Sequence, residues 1–249
     1  MSPTPVKILV FAHDAALGGA QRSLLEILER LDPEAYRPVV VVPTPGPFVE
    51  AVRQRGFTCR WGITQRWLFF KKPLSVTALV RRPWRLLTHP YLLAVLSFAT
   101  LPVRLALLAR LAKKEGAALL YSNTVTLLDG ALLARLLGLP HVWHVREPAA
   151  ANPSLAFPLP LSWVPRFILK WSDCVIVNSV SLRNTLFGNG THDKVRVIHN
   201  GVALNAPAPV PADLAQVPAG ARLTAICGGL SPHKGIHVYL DALARLQDS

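Results

Sequence analysis

Apolar residues along this chain fall into short blocks whose period alternates between that of a buried strand and that of a helix. Residues 6–12, Val-Lys-Ile-Leu-Val-Phe-Ala, form a near-continuous apolar run closed by His13 and Asp14, as expected of a strand covered on both faces of a parallel sheet. Leu24, Ile27, Leu28 and Leu31 then recur at helical spacing over residues 21–31, between Leu17-Gly18-Gly19-Ala20 and Asp32-Pro33. The alternation continues with a strand at 38–42, a helix at 47–55 and a strand at 57–61. Further strands are predicted at 117–122, 141–144 and 174–178. Repeated β-α-β predicts an α/β fold with a doubly wound parallel sheet, Rossmann-like in plan.

Two segments depart from this rhythm. The stretch Ala206-Pro-Ala-Pro-Val-Pro-Ala-Asp213 cannot form a central strand or a helix interior, so it predicts a linker. Residues 1–203 are therefore expected to form one domain and 204–220 a Pro/Ala-rich connection. Residues 221–249 begin a second domain, with a strand at 223–227, a turn at 228–235 and a helix at 236–246. One βα unit makes no independent core, and this domain is expected to be incomplete at Ser249. The other departure is Leu86 to Val103, eighteen positions without a formal charge. His89, Pro90 and Pro102 within it argue against a membrane span and favour a buried core helix or a helix lying in a membrane interface.

Charge changes the picture because it is uneven. The chain carries 27 Lys and Arg against 14 Asp and Glu, a net +13. Thirteen of those cations and none of the acids lie between Ala51 and Lys114, so the rest of the chain is neutral. This segment interleaves its cations with Trp67, Leu68, Phe69, Phe70, Trp84, Leu86 and Leu87, a mixture that fits an anionic membrane surface better than nucleic acid. Its aromatic side chains are expected to insert at the headgroup level. Cys59, Cys174 and Cys227 are odd in number, far apart and in apolar contexts, and read as reduced core residues. No signal-peptide pattern opens the chain, so a cytoplasmic location is expected, with peripheral attachment to the inner membrane face. On that expectation the sequon Asn189-Gly-Thr191 is a chance match.

Candidate chemistry gathers at turns. Gly18 and Gly19 precede a helix, where backbone N–H groups and the helix dipole can receive an anion; a tight strand-to-helix turn explains them equally well. His141-Val-Trp-His144-Val-Arg146-Glu147 sets polar residues at the carboxyl end of a strand, the edge where open α/β sheets bind ligands. His144 could donate to a sugar hydroxyl there, whereas Arg146 and Glu147 are better explained as a structural ion pair. Asn123 joins those two as an acceptor-side or structural candidate. Gly228-Gly-Leu-Ser-Pro-His-Lys234-Gly235 is a second glycine turn whose lysine can meet a diphosphate.

Gly18-Gly19-Ala20, Asn178-Ser179, Val195-Arg-Val-Ile-His-Asn200-Gly201-Val202 and Leu230-Ser-Pro-His-Lys234-Gly235 occur in the order found in family 4 glycosyltransferases of the GT-B fold, which the chain resembles over nearly its whole length. The resemblance implies a hexosyltransferase-like, retaining transfer of sugar from a nucleotide-diphosphate donor, without metal or cofactor, in a cleft between two Rossmann-like domains. Residues 1–203 would be the acceptor side. It also implies that Gly19 approaches the donor phosphates, Lys234 binds the diphosphate and His144 lies beside the transferred sugar.

Two departures from the family pattern stand out. Gly229 occupies the place of a diphosphate-binding arginine, and the family's paired glutamates fall beyond Ser249. The 249 residues alone are therefore expected to be inactive. The competing expectation is a catalytically inactive remnant that binds a membrane or a partner. A dinucleotide oxidoreductase is disfavoured, since Leu17-Gly-Gly-Ala lacks that fingerprint and the strand at 38–42 ends without an acidic ribose ligand.

Overall fold

The apolar run at the start of the chain forms strand β1, Val6–Phe11, whose side chains alternate between two buried faces: Ile8 and Val10 on one, Leu9 and Phe11 on the other. The computed structural model describes residues 4–67, 69–70, 90–147, 155–156, 160, 162–190, 192–201, 220–221, 223–227 and 234–247. The chain divides into two units, Met1–Val202 and Ala203–Ser249.

In the first unit β1 is followed by helix α1 (Gly19–Arg30), strand β2 (Tyr36–Val42), helix α2 (Pro47–Gln54) and strand β3 (Thr58–Trp61). A short strand β4 (Phe69–Phe70) precedes helices α3 (Pro90–Ala99) and α4 (Leu101–Glu115), which lead to strand β5 (Leu119–Ser122). Helix α5 (Asp129–Leu137) connects to strand β6 (His141–Val145). Strand β7 (Leu155–Ala156) pairs antiparallel with β4, and helix α6 (Trp163–Trp171) enters strand β8 (Cys174–Val177). Helix α7 (Val180–Phe187) and strand β9 (Val195–Val197) complete the sheet. Its order is β3-β2-β1-β5-β6-β8-β9, parallel throughout. The predicted doubly wound sheet is therefore present, and every predicted strand of this unit falls within it.

Packing follows from the alternation. Leu24, Leu25 and Leu28 of α1 and Phe48, Val49 and Val52 of α2 cover one face with Ile8, Val10 and Val40. Leu108 and Ala112 of α4 and Leu133 of α5 cover the other with Leu9, Phe11 and Val41. Helix α5 comes so close to β5 that a Cβ on Gly130 would force Ser122 or the helix to shift.

Several expectations are corrected. Trp67 is not a membrane-inserting residue: it is 1% exposed, packs with its ring tilted against Trp143 and Phe167, and donates from Nε1 to Val125 O at 2.7 Å. Phe69 and Phe70 lie in β4, and Leu68, Trp84, Leu86 and Leu87 lie outside the described residues. Instead of one core helix, residues 90–103 contribute to α3 and α4, which break at Thr100 ahead of Pro102. Arg104 explains the elbow: it is buried, pairs with Asp129 at 2.9 Å and ties back to Ser97 O and Thr100 Oγ1. Among the described residues no helix is long and apolar enough to cross a membrane.

In the second unit helix α8 (Ile236–Gln247) forms close to its predicted bounds. Residues 223–227 carry no strand, since no partner strand is present beside them among the described residues. Cys59 is buried, Cys174 half-buried and Cys227 exposed, so the core assignment fails for Cys227. Burial pushes the Cys59 and Cys174 thiols up.

Candidate functional site

The carboxyl ends of β1, β5, β6 and β8 share one edge of the sheet, because parallel strands all end on the same side. His144 sits near the end of β6, on the face covered by α1, and is 2% exposed. Its Nδ1 lies 2.5 Å from the Tyr121 hydroxyl and 3.4 Å from Arg146 NH2, while Nε2 is buried without a partner. Burial, then the charge on Arg146, holds the imidazole down to about 3, and burial pushes the Tyr121 phenol up to about 12. At neutral pH His144 is therefore uncharged and Tyr121 protonated. Arg146 can only donate, so Nδ1 is the accepting nitrogen, the Tyr121 hydroxyl donates to it as well, and the proton rests on Nε2. The result is a preset, unused N–H donor at the sheet edge.

Arg146 follows two residues later on the same face, as the strand period requires. Its Nε donates to Asn123 Oδ1 at 2.9 Å; NH1 donates to Ser23 Oγ at 2.7 Å and Asn200 Oδ1 at 3.1 Å. Burial pushes the guanidinium down. Glu147 is exposed and makes no ion pair with Arg146, since successive residues of an extended segment point to opposite sides. The expected pair is thus replaced by neutral partners from three distant segments. Asn123 is fully buried and links the network to the helix, its Nδ2 donating to Ala20 O at 3.2 Å. Asn178 donates to Arg146 O, and Asn178 O contacts His199 Nδ1, which fixes the segment leaving the sheet.

Gly18 has φ −80°, and neither it nor Gly19 has the positive φ that would demand glycine. A Cβ on Gly19 would meet nothing within 4 Å. The turn alone therefore does not account for that glycine, and the space above it is open. Helix α1 begins there with no side-chain cap and no acidic residue in its first turn, leaving backbone donors available. Lys234 belongs to the second unit, where it is exposed just ahead of α8.

Asp14 and its neighbours escaped the sequence reading. Asp14 receives Ala16 N–H and Gln21 Nε2 on Oδ1, and Arg66 NH2 and His13 Nε2 on Oδ2. Burial raises this carboxyl, but the His13 and Arg66 contacts outweigh it and hold it below its usual value. All its lone pairs are engaged, so it clasps the turn between β1 and α1. Tyr121, Ser23 and Asn200 were also missed as partners of His144 and Arg146.

The fold is a Rossmann-like α/β sheet whose carboxyl edge is polar, the edge at which such sheets bind ligands. The profile of Glycosyltransferase Family 4 matches residues 17–206, most of the chain, and the chain belongs to that family. No curated protein sequence matches it. Among solved structures, Anabaena Alr3699/HepE in complex with UDP superposes with a TM-score of 0.53 at 20% identity, covering 79% of this chain and 44% of that one. The same protein with UDP-glucose gives 0.51 at 19% identity, again over 79% and 44%. These likenesses show the fold, and the chain spans less than half the length of that neighbour.

Proposed function

We propose that this protein transfers a hexose from a nucleotide-diphosphate donor, with retention at the anomeric carbon, to an acceptor that is lipid-linked or otherwise membrane-associated. The observation that carries the proposal is the neutral His144 with a buried, unused Nε2–H at the carboxyl edge. Such a donor suits a sugar hydroxyl whose hydrogen bond strengthens as the glycosidic bond to the diphosphate breaks. Residues 1–203 supply the acceptor side, 204–220 the link, and 221–249 the beginning of the donor side. Gly18 and Gly19 approach the donor phosphates and Lys234 meets the diphosphate. No metal or cofactor enters this reading. Uridine nucleotides are the first donors to test, because the HepE structures hold UDP and UDP-glucose.

A second feature supports the membrane-bound acceptor. Val103 and Leu107 of α4 are exposed, and Arg110, Lys113 and Lys114 follow along that helix with no acid exposed beside them. Val95, Leu96 and Phe98 of α3 are exposed as well. The chain leaving β3 runs along α4, with Arg60 against Glu115 and Gly62 against Leu108, which brings exposed Trp61 and Ile63 to the same region. Apolar residues beside cations suit an anionic leaflet.

The test is a screen of nucleotide sugars for release of the nucleoside diphosphate by the full-length protein, run with and without vesicles of native lipids. Turnover that rises with the vesicles supports the reading. Vesicle binding with no turnover of any nucleotide sugar would favour the binding-module alternative.

A further inference from the structure

We propose that Arg146 is the built-in counter-charge for a phosphate group of a bound ligand at the carboxyl edge of β5 and β6. The side chain is buried, 8% exposed, and its hydrogen-bond partners among the described residues are uncharged: Asn123, Ser23, Asn200, the protonated Tyr121 and the neutral His144. No carboxylate pairs with it among those residues. Glu26, the acid nearest in the chain to Ser23 on α1, is held by Arg30. A buried cation without a counter-ion is strongly unfavourable, and packing alone would be met better by a neutral side chain.

Position indicates what supplies the missing charge. Asn123 accepts from Arg146 and donates to Ala20 O, so the guanidinium stands one residue away from the first turn of α1. That turn has uncapped N–H groups and no acid, and above Gly19 there is open space. Guanidinium, helix N-terminus and the unpartnered Nε2–H of His144 are all donors or positive, with nothing negative among them. A cavity of about 300 Å³ lies beside this network, where Ser23, His144 and Asn200 line it together with the Glu26–Arg30 pair and His199. Phosphate oxygens match this set, since the guanidinium supplies an uncompensated positive charge and the helix N-terminus adds backbone donors. A donor diphosphate and a phosphorylated acceptor share this chemistry, and the test distinguishes them.

This inference rests on the transferase reading only for the origin of the phosphate. The test uses the full chain and its Arg146→Gln and Arg146→Lys variants. Calorimetric titrations with inorganic pyrophosphate, UDP and geranyl phosphate are combined with melting curves at each ligand concentration. Wild type binds at least one of these probes. Arg146→Gln weakens that binding about tenfold or more and abolishes its stabilising shift, and Arg146→Lys restores part of it. Loss confined to pyrophosphate and UDP assigns the site to the donor; loss confined to geranyl phosphate assigns it to the acceptor. Without ligand, Arg146→Gln melts no lower than wild type, because an uncompensated charge has been removed. Unchanged affinities, no binding by wild type, or a ligand-free Arg146→Gln that is strongly destabilised or unfolded would each overturn the proposal. Phosphate binding that depends on Arg146 in a protein that turns over no nucleotide sugar would sink the transferase reading and leave this one standing.

Discussion

The Tyr121 hydroxyl lies 2.5 Å from His144 Nδ1, across the strand pair in which Tyr121 registers with Val142. With the donor-only Arg146 NH2 also at Nδ1, the hydroxyl donates there and the free nitrogen of His144 is left as a donor. Tyr121→Phe should leave Nδ1 with only the longer Arg146 contact to hold the tautomer, lowering stability by about 1–3 kcal/mol. Nitrogen NMR of the imidazole should show Nε2–H dominant in wild type and a mixed population in the variant. An Nδ1–H form in wild type would contradict the assignment.

Stability should fall on mild acidification. The His144 imidazole is held down to about 3 by burial and by Arg146, and burial, outweighing the opposing Asp173 charge, takes His141 down to about 4, both from 6.5. Below 6.5 the unfolded chain binds protons that the folded chain refuses, so each histidine lowers stability by up to about 1.4 kcal/mol per pH unit as pH falls toward its folded value. Above pH 6.5 these two groups contribute no slope. Asp129, raised by burial, works in the opposite sense nearer its own range, which makes the interval just below 6.5 the clearest to read. Urea melts across that interval should show the decline; a flat profile would mean one or both imidazoles are accessible.

Gly130 tests the closeness of α5 to the sheet. A methyl group there would meet Ser122 Oγ at 2.2 Å and Phe11 Cδ2 at 3.2 Å, and Ser122 also holds His141 Nε2 at 3.0 Å. Gly130→Ala should therefore destabilise by about 1–3 kcal/mol despite its better helix propensity. A neutral or stabilising effect by chemical denaturation would show that α5 can shift outward freely.

Most of the sheet was legible in the sequence because fully buried parallel strands must be apolar throughout, as in residues 6–12 and 38–42. Helices α5, α6 and α7 were not singled out: α7 has almost no amphipathic stripe, with only Leu182 and Leu186 buried. At the site, His144 was legible from its place at a strand end. Its partners were not, since Ser23 and Arg146 meet across 123 residues and Asn200 comes from beyond β8. Adjacency misled at Arg146-Glu147, where neighbours in sequence face apart. Composition misled at Trp67, whose basic surroundings gave no sign that its own ring completes the core beside Trp143.

The exposed face of α3 and α4 should carry the membrane attachment. Replacing Val103 and Leu107 with Ser should weaken binding to anionic vesicles and leave the salt dependence of the remainder steeper. Changing Arg110, Lys113 and Lys114 to Gln should remove about 1 kcal/mol per cation near the surface. Co-sedimentation across a salt series checks both; equal binding by both variants and wild type would place the attachment elsewhere.

The role of His144 is tested most directly by comparing turnover with donor affinity in the full-length protein and its His144→Ala variant. If the free Nε2–H acts on the reacting sugar, kcat for nucleotide-sugar turnover should drop by about two orders of magnitude or more while the donor Kd changes less than tenfold. Equal kcat in the two proteins, or a loss carried wholly by donor affinity, would contradict the account.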